Sequence, residues 1–187
     1  MSRPAFIGHG LALLAALAGT PAAWAGQDGR VFLWEGDGLR LETAALPRDQ
    51  VIAFLLARGF DSDTAGAIAE EGCIFRSAIG SFALAPGEGP VVVSLGDWRV
   101  MADGQERGLR LRETWAAEMA RRGADPAAAI ALEWALFPSE QSFGPEDYNW
   151  GLLSFALPPG TRFDFIFSWR KGQSEYSRSF TEMECSP

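Results

Sequence analysis

The sequence predicts an α+β fold: an antiparallel β-sheet or sandwich-like core of about seven strands, two inserted helical hairpins, and a C-terminal three-stranded meander. Three observations lead there. Phe163, Phe165, Phe167 and Trp169 recur at every second position, with Arg162, Asp164, Ser168 and Arg170 between them. Four large aromatics at period two mark a strand that covers a core. Helix signals interrupt the strand series twice, over residues 47–71 and 114–136. Strands and helices do not alternate regularly, which argues against a parallel, doubly wound sheet.

Val31, Phe32, Leu33 and Trp34 form a first strand, and Asp37-Gly38 turns it. Leu39 and Leu41 alternate with Arg40 and Glu42 in a second. Pro47–Gly59 reads as a helix, with Pro47 in its first turn, Asp49 at its positive end and Gly59 past its end. Its expected face is Val51, Phe54, Leu55 and Arg58. A short second helix follows, capped by Ser62 or Asp63. Ala65, Ile68 and Ala69 form its apolar side, and Gly72 ends it at Cys73.

Cys73–Leu84 reads as a strand bent at Gly80, and residues 85–90 (APGEGP) as a loop. Val91-Val92-Val93 suits a buried strand. Trp98, Val100 and Ala102 alternate in the next, and Leu109 and Leu111 in another. Thr114–Arg122 is a helix with Trp115, Ala116 and Met119 on one face, stopped by Gly123. Asp125-Pro126 starts a further helix by capping it and supplying proline at its first position. That helix is expected to bury Ile130 and Trp134 and to stop before Pro138. Gly151–Leu157, the aromatic strand and a return through Tyr176, Arg178 and Phe180 complete the meander. Residues 38–43 and 108–114 look alike, but two copies in an Ala/Leu/Arg-rich chain are attributed to chance.

The first 25 residues have the three parts of a secretory signal peptide: Arg3, an apolar run over residues 11–18, and Ala23-Trp24-Ala25 as a cleavage site. The apolar run is too short for a membrane anchor. Cleavage would leave residues 26–187 as one domain of about 160 residues, beginning Gly26-Gln27-Asp28. It would also remove His9, the sole histidine. No later segment suits a transmembrane helix. The expected location is periplasmic or secreted.

The chain carries a net charge of −8, one unit more negative once Arg3 is lost. That acidity excludes nucleic acid and anionic membranes as expected partners, because both select basic surfaces. The two cysteines, Cys73 and Cys185, lie 112 positions apart. In an exported chain the simplest expectation is a disulfide that ties down the C-terminal tail. The sharper alternative is a soft-metal site of Cys73, Cys185 and Met183, suited to copper(I).

Without histidine, Ser-His-Asp and Cys-His catalysis and His-ligated zinc or iron are excluded. No phosphate loop, nucleophile elbow or calcium loop is present. Carboxylate chemistry remains, and Glu133, Glu140, Glu146 and Asp147 lie in sequence beside Trp134, Phe137, Phe143, Tyr148 and Trp150. No residue is assigned a catalytic role, and no cofactor or resident metal is expected.

Residues 143–151 (FGPEDYNWG) form the best recognition candidate. Their Gly, Pro and Asp predict a loop, yet Phe143, Tyr148 and Trp150 are residues that loops avoid unless they pack back or bind something. Phe143, Asp147, Tyr148, Asn149 and Trp150 are the candidate recognition residues. The competing expectation is that Trp150 and Phe143 plug the end of the core and Asn149 serves a turn. The leading functional expectation is an exported, non-enzymatic binding or accessory protein that contacts a protein or another envelope component. A carboxylate-dependent hydrolase of envelope glycans and a copper carrier are the alternatives.

Overall fold

The computed structural model describes residues 29–187. The expected signal peptide, His9 and the expected new N-terminus at Gly26 lie outside the described residues. The described chain is mixed α+β, with two antiparallel sheets and four helices.

Strands β1 (Val31–Gly36) and β2 (Leu39–Ala45) form the predicted hairpin, closed by the Gly36–Leu39 pair. Its turn needs positive φ at both central residues, and Asp37 (49°) and Gly38 (89°) supply it. Helices α1 (Arg48–Leu56) and α2 (Ser62–Gly72) follow and pack together. Val51 and Leu55 of α1 are buried, while Phe54 is only half-buried. On α2 the buried stripe is the predicted Ala65, Ile68 and Ala69.

The cap of α2 is Asp61 rather than Ser62 or Asp63. Its carboxylate accepts the Asp63 and Thr64 backbone N–H groups at 3.0 and 2.9 Å, and the Thr64 hydroxyl at 2.7 Å.

Strand β3 (Ile74–Ser81) runs antiparallel to β2. Gly80 does not bend it. A Cβ there would lie 2.6 Å from both the Asp147 carbonyl and the Tyr148 Cβ, so glycine permits a close approach. Strand β4 (Val91–Ser94) leads through a 3-10 turn at Leu95–Asp97 to β5 (Arg99–Ala102). A second Asp-Gly turn, Asp103-Gly104 with φ of 51° and 71°, joins β5 to β6 (Gln105–Gly108). This corrects the expectation of a strand at Leu109 and Leu111. Those leucines follow β6 and pack half-buried against the core.

Helix α3 (Arg112–Arg122) buries Trp115 and Met119 and ends at Gly123 in the left-handed conformation. Asp125 caps α4 (Pro126–Ala135) by accepting from the Ala127 and Ala128 N–H groups at 2.9 and 3.1 Å. The α4 expectation fails on its buried face. Ala128 and Leu132 are buried, whereas Ile130 is 55% and Trp134 84% exposed. Two positions along a helix turn the side chain through about 200°, so burying 128 and 132 turns 130 and 134 outward.

Strands β7 (Glu140–Phe143), β8 (Tyr148–Ser154), β9 (Arg162–Lys171) and β10 (Ser174–Glu184) complete the chain. The described residues form ten strands, where about seven are expected from the sequence. The first sheet has the order β1-β2-β3-β8. The second has the order β6-β5-β9-β4-β7, with β10 on the opposite edge of β9. The terminal three-stranded meander is therefore reduced to the β9–β10 hairpin, because β8 pairs with β3. Residues 155–161 link the two sheets and end in a turn at residues 158–161, where the Thr161 N–H donates to the Pro158 carbonyl at 3.3 Å. Phe155 and Leu157 are buried within them as they carry the chain from one sheet to the other.

One apolar cluster takes residues from both sheets, including Phe32, Leu41, Phe75, Val93, Trp98, Phe165 and Phe167. Phe163, Phe165, Phe167 and Trp169 are all buried, as their period-two spacing predicts. Where β9 passes from β5 to β4, its Ser168 carbonyl accepts the Trp98 indole N–H at 2.8 Å. A second cluster joins Val51, Leu55, Ile68, Trp115, Met119 and Leu132 of the helices to Ile74 of β3. Arg122 ties α2 to α3 by bonding both Glu71, at 2.8 Å, and Glu118.

Cys73 and Cys185 form a disulfide with Cα atoms 5.2 Å apart, and both residues are buried. Such a bond is compatible with an oxidising compartment outside the cytoplasm. It also leaves the thiolates of the soft-metal alternative unavailable. Among the described residues no helix is long and apolar enough to cross a membrane.

Two carboxylates give the fold an acid-sensitive limb. The Thr64 backbone N–H, helped by the Thr64 hydroxyl, holds Asp61 below the ordinary Asp range. The Ser139 hydroxyl, 2.5 Å away, does the same for Glu113. Folding thus favours their ionised forms, and the unfolded chain takes up protons first as pH falls. Their contribution is complete above the ordinary carboxylate range and is lost as pH descends through each lowered value. Thermal melts from about pH 6 to about pH 2.5 should show this loss. The double variant Asp61→Asn, Glu113→Gln should give a shallower acid limb.

Candidate functional site

In an antiparallel sheet, side chains of paired residues share a face. One row across the first sheet is Leu33, Glu42, Ala78 and Trp150, and the next is Glu35, Arg40, Gly80 and Tyr148. Both rows lie on the face turned away from the second sheet. The opposite face carries Phe32, Leu41, Phe75 and Ile79 into the shared core. The helices cover the outer face only at one end, where Ile74 and Leu152 join the helical cluster. At the other end it is open. Leu33 is 50%, Tyr148 70% and Trp150 77% exposed there, and Val31, on the edge strand in the row of Leu152, is 50% exposed.

The chain reaches this face along a fixed path. Helix α4 ends against β8, where Leu136 bridges Leu152 in parallel and the Phe137 N–H donates to the Leu152 carbonyl at 3.3 Å. Gly151 allows the contact, since a Cβ there would stand 3.0 Å from the Ala135 carbonyl. Trp134 on α4 and Trp150 on β8 each stand two residues before this bridge, and both are exposed.

The residues 143–151 expected as a loop are the end of β7, a turn and the start of β8. Phe143 is buried in the shared core, as the plugging expectation has it. Trp150 does not plug anything, because period two places it on the outer face with Tyr148. Asn149 points the other way: its Nδ2 donates to Gln141 Oε1 at 2.8 Å, and its Oδ1 accepts the Trp150 N–H at 2.9 Å. Asp147 is exposed, and its carbonyl accepts the Ser81 N–H at 2.9 Å. That bond and the Gly80 contact hold the turn against β3. Of the five candidates, Asp147, Tyr148 and Trp150 present exposed side chains, while Phe143 and Asn149 support them.

The surface has an acidic rim. Glu146 and Asp147 precede Tyr148, and Glu133 precedes Trp134. Glu35 and Glu42 both pair with Arg40. Ile130 and Trp134 of α4 are also exposed, although the sequence predicts both to be buried.

The four acids considered for hydrolysis are divided among different elements. Glu133 lies on α4, and Glu140 lies in the second sheet, accepting the Ser94 hydroxyl at 2.6 Å. Glu146 and Asp147 lie in the β7–β8 turn. A cleft of about 670 Å³ elsewhere is floored by Phe32 and Phe75 and edged by Arg30, Asp49, Arg162 and Glu184, and it holds none of these four. Among the described residues no group of three or more His, Cys, Asp or Glu could hold a metal ion. The buried Thr43–Ser77 hydroxyl pair, 2.7 Å apart, is a cross-strand bond within the sheet.

Comparison with protein-family models, with curated proteins and with solved structures finds no match.

Proposed function

We propose that this is an exported, non-enzymatic binding or accessory protein of the cell envelope, periplasmic or secreted. Its sandwich-like core and two helical hairpins act as a rigid scaffold for the open face of the first sheet. One observation carries this reading. Seven large hydrophobic residues stand exposed among those described, and six of them are on β1, β8 or α4, the helix that leads into β8. Exposed Trp and Tyr are the residue types that anchor protein interfaces, because each buries a large rigid area at low entropic cost. The acidic rim favours a protein partner with an apolar centre and a basic border, and it disfavours nucleic acid.

The Trp134→Ala, Trp150→Ala variant tests the reading. Both rings are already in water, so its unfolding free energy should stay within about 1 kcal/mol of the parent. Retention of the native partner from the envelope, measured with equal amounts of folded protein, should fall at least tenfold. A variant that keeps its partner in full refutes the assignment of this face.

A further inference from the structure

The free edge of β1 is the second surface that the fold leaves open. Gly36 and Leu39 close a two-residue hairpin, so Gly36, Trp34 and Phe32 exchange backbone bonds with β2. By alternation, the N–H and C=O groups of Val31, Leu33 and Glu35 point to the opposite edge. No other described strand pairs there. Such an edge templates another strand unless something blunts it.

The remaining edges are blunted and β1 is not. Strand β6 is four residues long with every side chain exposed, and β7 is also four residues long. Strand β10 breaks register between Phe180 and Met183 and carries Glu175, Arg178, Glu182 and Glu184. The outer edge of β8 is occupied by the chain at Leu136 and Phe137. Strand β1 has no bulge, proline or lysine, and Val31 and Leu33 are half exposed along it.

We propose that two copies of this protein pair through β1, antiparallel about a two-fold axis at Leu33. That register sets Leu33 against Leu33 and Val31 against Glu35 of the second copy, using all three free positions and making about six backbone bonds. A register centred on Glu35 would set like charges together and run into the Asp37-Gly38 turn. One centred on Val31 would set Leu33 and Glu35 opposite residues 29 and 27, outside β1. The Leu33 register alone pairs the three free positions with one another, and it is self-complementary, as a two-fold interface requires. The joined sheets would run continuously through both copies, with the two β8 strands at the far ends and their aromatic faces free.

Cross-linking tests both association and register. Directly opposed, hydrogen-bonded residues have Cα atoms about 5.5 Å apart, within disulfide range. Protein made from the full chain with Leu33→Cys should become a reducible covalent dimer. Glu35→Cys, whose copies lie far apart in this register, should not. Leu33→Lys sets like charges together on the axis and should weaken self-association at least tenfold in sedimentation, with its thermal unfolding preserved. The pairing is overturned if Leu33→Cys stays monomeric, if Glu35→Cys cross-links equally well, or if the parent protein sediments as a monomer at about 100 μM.

Discussion

Replacing Phe165 by Ala lowers the unfolding free energy by about 3–5 kcal/mol. The ring is fully buried and stands where the core elements converge. It meets Trp98 at 5.3 Å, Phe155 at 4.9 Å, Phe167 at 5.6 Å and Phe180 at 6.4 Å between centroids. Its backbone neighbours are Val100 of β5 and Phe180 of β10. Removing it leaves a cavity that rigid aromatics cannot fill by small rotamer changes. The lost ring contacts add to the transfer term. Urea unfolding measures the loss directly, and the melting temperature should fall by about 10 °C for a chain of this size. A loss under about 1 kcal/mol would mean that the sheets do not pack around this ring.

Removing the disulfide has the second large effect. Cys73→Ala, Cys185→Ala should cost about 2–5 kcal/mol, with about 4.7 kcal/mol as the loop-entropy ceiling for so long a closure. Cys73 lies at the junction of α2 and β3, and its carbonyl accepts the Phe155 N–H at 3.2 Å. Cys185 is held by two backbone bonds: its N–H donates to Thr161 and its carbonyl accepts from Gly160, at 3.0 and 3.1 Å. The bond therefore fixes the end of β10 to the start of β3, across the two sheets. Reduction of the parent protein should reproduce the loss, and the double variant should be insensitive to reductant. Equal stability with and without the bond would contradict this account.

The parts of the fold that were legible share one property, a local signal with a single reading. Four aromatics at period two can only be a strand here, and Asp37-Gly38, Gly123 and Asp125-Pro126 are punctuation with a backbone reason. Asp103-Gly104 carries the same signal as Asp37-Gly38 and would have placed the β5–β6 hairpin. Sheet membership was not legible, because which strand accepts β8 depends on contacts far apart in sequence. In α4, Ile130, Leu132, Trp134 and Leu136 also alternate at period two, so a helix must turn half of them outward. Size favoured burying Trp134, and packing chose Leu132. Tyr148 and Trp150 stand out in the sequence as aromatics in a turn-rich segment, but their outward orientation comes from β8 pairing with β3.

Site-specific photo-cross-linking tests the binding face most directly. A photoreactive side chain would be placed in turn at positions 134, 148 and 150, and at 106 on exposed β6 as the control, in protein expressed in its own cells. The account predicts one shared adduct from 134, 148 and 150 and none from 106. No adduct from the three aromatic positions, or the same adduct from 106, would contradict it.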